Sequence, residues 1–269
     1  PETAAALGRC GGFFFTGGDP RALSEAFTAD GAGTPALAAV RARVERDGVM
    51  FSGSSAGAMI AGDLTLCECS AKSSVAALTE GHLFQAPGFG LLDGVLIDAH
   101  FFARGLLGRH LYALAGNRIP VGVGIDEGTA VMVPRGGGPW EVLGNGAVAL
   151  IRTPARPRVD RLSGFTLSLL APGDIFDPQS GVVSVAPERR PLDVRSGARP
   201  LVFQDAFAPQ RVREMIERLA RSGADEASAS VPGAPIRVVL RRTAATRVYS
   251  DGRRSTVLDL AVSIDRPAG

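Results

Sequence analysis

Residues 51–60 read FSGSSAGAMI, and five consecutive small residues, Gly53-Ser54-Ser55-Ala56-Gly57, interrupt what is otherwise an apolar run. Such a stretch fills a core poorly. Residues 49–51 before it read as a short buried strand, and residues 56–61 after it as the start of a helix. The stretch also matches Gly-x-Ser-x-Gly with Ser55 at its centre, and in a strand-to-helix context that motif has mechanical meaning. The glycines permit a tight, strained turn that lifts one hydroxyl clear of the sheet edge. The helix behind it brings N–H groups and a positive dipole end to the same spot.

Working outward, residues 11–16 form an apolar run, Gly-Gly-Phe-Phe-Phe-Thr, that stops in the turn Gly17-Gly18-Asp19-Pro20. A helix is expected over 35–46, with Leu37, Val40 and Val44 three to four apart. Further strands are expected at 95–97 and 121–125, with a helix over 102–114 between them. Short continuous apolar strands separated by helices indicate a mostly parallel sheet with helices on both faces. Past residue 129 the pattern changes to strands at 130–133, 140–143 and 147–151, with Gly144-Asn145-Gly146 as a hairpin signal. Strand candidates at 165–170 and 182–185 follow, then an amphipathic helix over 209–221 carrying Val212, Met215, Ile216 and Leu219. Residues 237–249 and 255–264 read as a closing hairpin about Asp251-Gly252. The chain thus divides into an α/β core, 1–150, and a β-rich C-terminal extension with one helix, 151–269, packed on the same domain.

The 269 residues, 45% hydrophobic and 21% charged, suffice for a sizeable core without metals or disulfides. A formal net charge of +2 is too small to argue for a nucleic-acid partner. Lys72 is the sole lysine, which speaks against Schiff-base chemistry and leaves arginine to recognise carboxylates. Cys10, Cys67 and Cys69 fit neither a disulfide framework nor a zinc site, so they read as structural thiols. No run approaches the ~18 apolar residues of a membrane span, and no signal peptide is visible. The expectation is a cytoplasmic protein without cofactor, metal or membrane partner.

A serine nucleophile needs a base, and His82, His100 and His110 are the candidates. His100 follows an apolar strand in Asp98-Ala99-His100-Phe101, where open parallel sheets place their sites, and is favoured on that ground. An orienting carboxylate is available from Asp98, or from Asp126 and Glu127 at the end of the next strand. Ser55, His100 and Glu127 all fall just past strand ends. Their order, Ser–His–acid, departs from the Ser–acid–His of the α/β-hydrolases. A backbone N–H of the Gly17-Gly18 turn, together with that of Ala56, would make an oxyanion hole.

Phe-Phe-Thr-Gly-Gly-Asp at 14–19, Gly-x-Ser-Ala-Gly-Ala at 53–58, Asp-x-His-Phe-x-x-Arg at 98–104 with Gly108-Arg109, and Gly-Ile-Asp-Glu-x-Thr-Ala at 124–130 occur in that order. Together they resemble the cyanophycinase family of serine peptidases, relatives of the aspartyl dipeptidases, over about residues 11–134. The resemblance implies Ser55 as nucleophile, His100 as base and Glu127 as third member, with Gly18 and Ala56 at the oxyanion. It implies substrate contacts from Asp19, Asp98, Arg104 and Arg109. It further implies a flavodoxin-like sheet related to the class I glutamine amidotransferases, a homodimer, and a peptide or dipeptide substrate cleaved through an acyl-enzyme next to an aspartyl or β-aspartyl residue. The βα units that precede the Gly-Gly-Asp strand in that family are missing from this sequence. Pro20, Ala99 and Leu106 replace the family's Gln, Gln and second Arg. The resemblance therefore carries hydrolysis further than it carries cyanophycin as the substrate. The alternatives are a catalytically inactive binding module and an esterase or acyltransferase using the same serine.

Overall fold

The computed structural model describes residues 2–29, 32–68, 70–194 and 197–266; Cys69, counted among the thiols above, lies outside the described residues. The protein is mixed α/β, with a large central sheet and, among the described residues, seven helices.

The apolar run near the start becomes the strand Gly12–Phe15, which pairs in parallel with Met50–Gly53, Phe13 opposite Phe51 and Phe15 opposite Gly53. Among the described residues these two strands form a sheet of their own. The period of two sends alternate side chains to opposite faces. On one face Phe15 meets Phe51 and Phe89 with ring centroids 5.2 Å apart in each pair, and Phe27 joins Phe89 at 4.9 Å. On the other, Phe14 and Met50 are 67% and 71% exposed.

The central sheet begins with Val95–Ala99 paired in parallel to Val121–Ile125. From there Val148–Arg152, Leu162–Leu170, Ser255–Asp265, Ala234–Arg241 and Glu226–Val231 follow in antiparallel succession. Leu201–Phe203 adds a parallel edge strand. The sequence expectation of a mostly parallel sheet is corrected here. Parallel pairing holds where helices separate the strands. Beyond Ile125 short turns close hairpins, such as Glu226–Val231 with Ala234–Arg241 across Pro232-Gly233, and a short connection only closes an antiparallel pair. A second, antiparallel sheet holds Thr129–Met132, Trp140–Gly144, Ile175–Phe176 and Val183–Ser184. The closing hairpin about Asp251-Gly252 is present as Arg247–Ser250 against Ser255–Asp265, with Ala234–Arg241 a separate strand.

The helix Arg211–Arg221 buries Val212, Met215, Ile216 and Leu219, as their spacing predicts. Met215, Ile216 and Leu219 are fully enclosed, each contributing roughly 1.5–3 kcal/mol. Three helices were not read from the sequence, the first of them Glu2–Leu7. Pro20–Phe27 starts on Asp19, whose side chain accepts from the Arg21 N–H, with Pro20 in the first turn; that Asp-Pro pair is a helix-start signal as well as a turn signal. Ala71–Thr79 is the third. The helix expected from 102 begins instead at Leu107, because residues 101–105 are held in an irregular turn by Asp126. Phe101 and Phe102 in that turn are buried in the main core, beside Leu107, Leu111 and Leu114 and the C-terminal strand residues Leu260 and Val262. None of the described helices is long and apolar enough to cross a membrane.

Candidate active site

Ser55 stands between the strand Met50–Gly53 and the short helix Ala56–Met59, with φ 54° and ψ −120°. This is a region that residues with a side chain seldom enter, and occupying it costs of order 1–3 kcal/mol. The two glycines of the motif act through room, not through φ. A Cβ on Gly53 would stand 2.1 Å from the Gly57 carbonyl oxygen, and one on Gly57 would stand 2.0 Å from that of Phe15. The elbow is therefore pressed against the neighbouring strand. Ser54, the other serine of the stretch, is exposed and uses its carbonyl to accept from Gly57 N–H.

His100 follows the strand Val95–Ala99 and also takes a positive φ, 59°. Its Nε2 lies 2.8 Å from Ser55 Oγ, and its Nδ1 lies 2.7 Å from Glu127 Oε1. A carboxylate only accepts, so Nδ1 carries the proton and Nε2 is left to accept from the serine hydroxyl. Glu127 sits just past Val121–Ile125 with its side chain 59% exposed, whereas the His100 ring is 18% exposed. The other histidines stand elsewhere. His82 lies edge-on to Phe84, and His110 is fully buried 3.6 Å from Asp98 Oδ2, longer than a hydrogen bond.

The oxyanion expectation falls on a crowded corner. A Cβ on Gly17 would meet Ser55 Cβ at 3.0 Å, so Gly17 is the glycine in contact with the serine, while Gly18, at φ 147°, has open space around it. Ala56 opens the helix, and its N–H makes no hydrogen bond among the described residues.

The expected substrate contacts divide. Asp98 and Arg109 are both fully buried and pair with each other; Arg109 Nε donates to Asp98 Oδ2 at 3.0 Å, and Nη2 donates to Oδ1. Arg109 Nη1 donates to the carbonyls of Cys67 and Glu68, both at 2.9 Å. Both side chains are enclosed and the two charges satisfy one another, against the expectation that they face a substrate; the helix turns its first residues inward. Burial, the largest single influence, would raise the Asp98 carboxyl; the Arg109 charge and hydrogen bonds together with the neighbouring His110 outweigh it and hold the carboxyl below its ordinary value. Arg104, by contrast, is exposed on the turn after His100. Asp19 is exposed and caps its helix.

Asp126, one of the orienting carboxylates the sequence offered, and Gln210, which sequence reasoning did not single out, stand around Ser55, His100 and Glu127. Asp126, next to Glu127 and buried, accepts from the N–H groups of Phe102 (3.1 Å) and Ala103 (2.9 Å). Its other oxygen accepts from Gln210 Nε2 at 2.7 Å. The Asp126-Glu127 dipeptide thus grips His100 twice, by its ring and by the backbone that follows it. Among the described residues no group of three or more His, Cys, Asp or Glu is arranged to hold a metal ion.

No family model matches the chain. Among curated proteins it is 35% identical over 150 residues to a cyanophycinase of Synechococcus elongatus, a match covering 56% of this chain and 44% of that protein. It is 32% identical over 151 residues to one of Trichormus variabilis, covering 56% and 48%, and 29% identical over 191 residues to one of Geminocystis herdmanii, covering 65% and 67%. The chain spans less than half the length of the first two. A solved peptidase structure from an acI-B1 Actinobacterium shares 19% identity at a TM-score of 0.39, over 70% of this chain and 62% of that one. The curated matches support a cyanophycinase-like peptidase family, in agreement with the motifs.

Proposed function

We propose that this chain is a serine-type peptidase of the cyanophycinase kind, hydrolysing a peptide bond next to an aspartyl or β-aspartyl residue. The observation that carries the reading is the hydrogen-bond chain from Ser55 Oγ to His100 Nε2 and from His100 Nδ1 to Glu127 Oε1. In this reading Ser55 Oγ attacks the scissile carbonyl carbon while His100 Nε2 takes the hydroxyl proton. The oxyanion that forms lies by the Ala56 N–H and the Gly17-Gly18 backbone. The tetrahedral adduct collapses as His100 returns the proton to the leaving amine, giving an acyl-enzyme. Water, deprotonated by the same nitrogen, then releases the acid and restores the serine. Glu127 keeps the ring in the tautomer this requires and stabilises the imidazolium.

Arg104, exposed on the turn after His100, is the arginine assigned in this reading to a substrate carboxylate. Asp19, exposed beside the Gly17-Gly18 turn, remains the acidic contribution. The flavodoxin-like, glutamine-amidotransferase-like arrangement belongs to the same reading. It is supported by the two parallel strand pairs whose ends carry Ser55, His100 and Glu127. So does a homodimer, which light scattering of the purified protein tests directly.

Labelling by a fluorophosphonate probe, with Ser55→Ala as control, tests the nucleophile. Turnover of β-aspartyl dipeptides against p-nitrophenyl esters tests the substrate class. Equal labelling of wild type and Ser55→Ala would sink the serine reading, and preference for the esters would favour an esterase on the same serine.

A further inference from the structure

The turn that carries His100 is held from a part of the chain far from any of the catalytic motifs. Gln210, half-buried at the head of the helix Arg211–Arg221, takes φ 61° and makes two contacts with it. Its backbone N–H donates to the Phe102 carbonyl at 2.7 Å. Its side-chain amide donates to Asp126 Oδ2 at 2.7 Å, while Asp126 Oδ1 receives the Phe102 and Ala103 amides. The approach is close along the whole segment: a Cβ on Gly105 would stand 2.0 Å from the Phe207 carbonyl oxygen. Both oxygens of Asp126 are therefore matched to donors at good length.

We infer that Gln210 is a positioning residue for His100, so that the C-terminal segment governs the rate of the site formed by the first half of the chain. The inference rests on the peptidase reading for its consequence, not for its geometry. A buried carboxylate with two amides on one oxygen needs its other oxygen satisfied. Without the Gln210 amide, Asp126 would turn to find another donor and release Phe102 and Ala103. The backbone at His100 sits at φ 59°, a conformation that persists only where its surroundings impose it. Loosening the following two amides lets His100 relax, and its Nε2 drifts from Ser55. Binding groups for substrate are untouched, so the loss falls on the chemical step.

Gln210→Met tests this, because it keeps the side-chain length and the backbone N–H bond while removing the amide donor. The expected result is a fall of about tenfold or more in the maximal rate of fluorophosphonate inactivation, with the half-saturating probe concentration within about twofold. Hydrogen exchange at the Phe102 and Ala103 amides should quicken, and the downfield proton on His100 Nδ1 should shift or broaden. Asp126→Asn is the second variant, and the double variant closes a cycle: the two losses should not multiply, since both remove one linkage. An unchanged inactivation rate, whether or not exchange quickens, overturns the inference, as do losses that multiply independently. If wild-type protein takes no label, the peptidase reading falls instead. The positioning role is then decided by the two amides and the ring proton alone.

Discussion

Ser55 and His100 hold left-handed φ angles of 54° and 59°, and their side chains meet at 2.8 Å. Two residues with uncommon positive φ angles, brought together across 45 positions of sequence, mark a candidate site whose geometry is set by the fold. Glycine would fit either backbone better; a side chain is kept at both.

Ser55→Gly separates strain from chemistry. Glycine enters this region at no steric cost, although its greater freedom in the unfolded chain takes back about 0.5–1 kcal/mol of the gain. The variant should unfold at a higher denaturant concentration than wild type and hydrolyse nothing. Ser55→Ala should lose the activity without the gain in stability.

Glu127→Gln removes the charge that fixes the His100 tautomer. Loss of this function costs up to about 10⁴-fold in kcat in the Ser-His-Asp template. Since Glu127 is 59% exposed, water replaces part of its role, and a fall of about 10²-fold is expected with KM little changed. Steady-state kinetics on a β-aspartyl dipeptide checks it.

The Asp98–Arg109 pair is predicted to act on stability and not on recognition. Removing one partner of a buried pair costs about 3–5 kcal/mol, so Arg109→Met should lower the urea midpoint sharply. The Asp98 carboxyl is held below its ordinary value in the fold. Its contribution is therefore complete above the unfolded value of about 3.9 and is lost as pH falls through the depressed folded value. Urea midpoints measured from about pH 6 to about pH 2 should fall in this limb for wild type. Asp98→Asn should be less stable at neutral pH and lack this group's share of the slope.

Arg104→Ala should do the reverse. Arg104 is exposed, so the melting temperature should hold, while KM for an acidic dipeptide rises about 10–100-fold, the worth of one charged hydrogen bond. A neutral peptide substrate should be unaffected.

Gly57→Ala places a methyl against the Phe15 carbonyl, at 2.0 Å before any shift. Backbone cannot yield as a side chain end does. A loss of about 1–3 kcal/mol is expected, and probe labelling at Ser55 should fall with it because the elbow must move.

Much of the site could be read from the sequence because its parts sit at strand ends, where a few apolar residues followed by Gly, His or Asp-Glu announce them. Ser55, His100 and Glu127 were legible in this way. Arg109 was not. Its side depends on where the helix starts, and the start is set by Asp126 capturing two amides, a contact with no local signature. Gln210 was invisible for a related reason: its partner lies 84 positions away, and nothing about an amphipathic helix reveals what its first residue touches. In the fold, the helices and apolar strands came through. The antiparallel majority did not, because the apolar runs of the first half suggested a rule that its own Gly-rich turns then break.

Ser55 follows a strand of the two-stranded sheet, whereas His100 and Glu127 follow strands of the ten-stranded one. The Ser55–His100 contact therefore bridges a seam that side-chain packing closes. Within each sheet, distances are locked by backbone ladders; across the seam they depend on how Phe rings and the Ala56–Met59 helix settle. A perturbation too gentle to unfold either sheet, such as pressure, a cosolvent or a partner seated on the exposed Phe14 and Met50, would thus register first as a change in turnover. On the peptidase reading, activity is the most sensitive gauge of alignment this molecule offers.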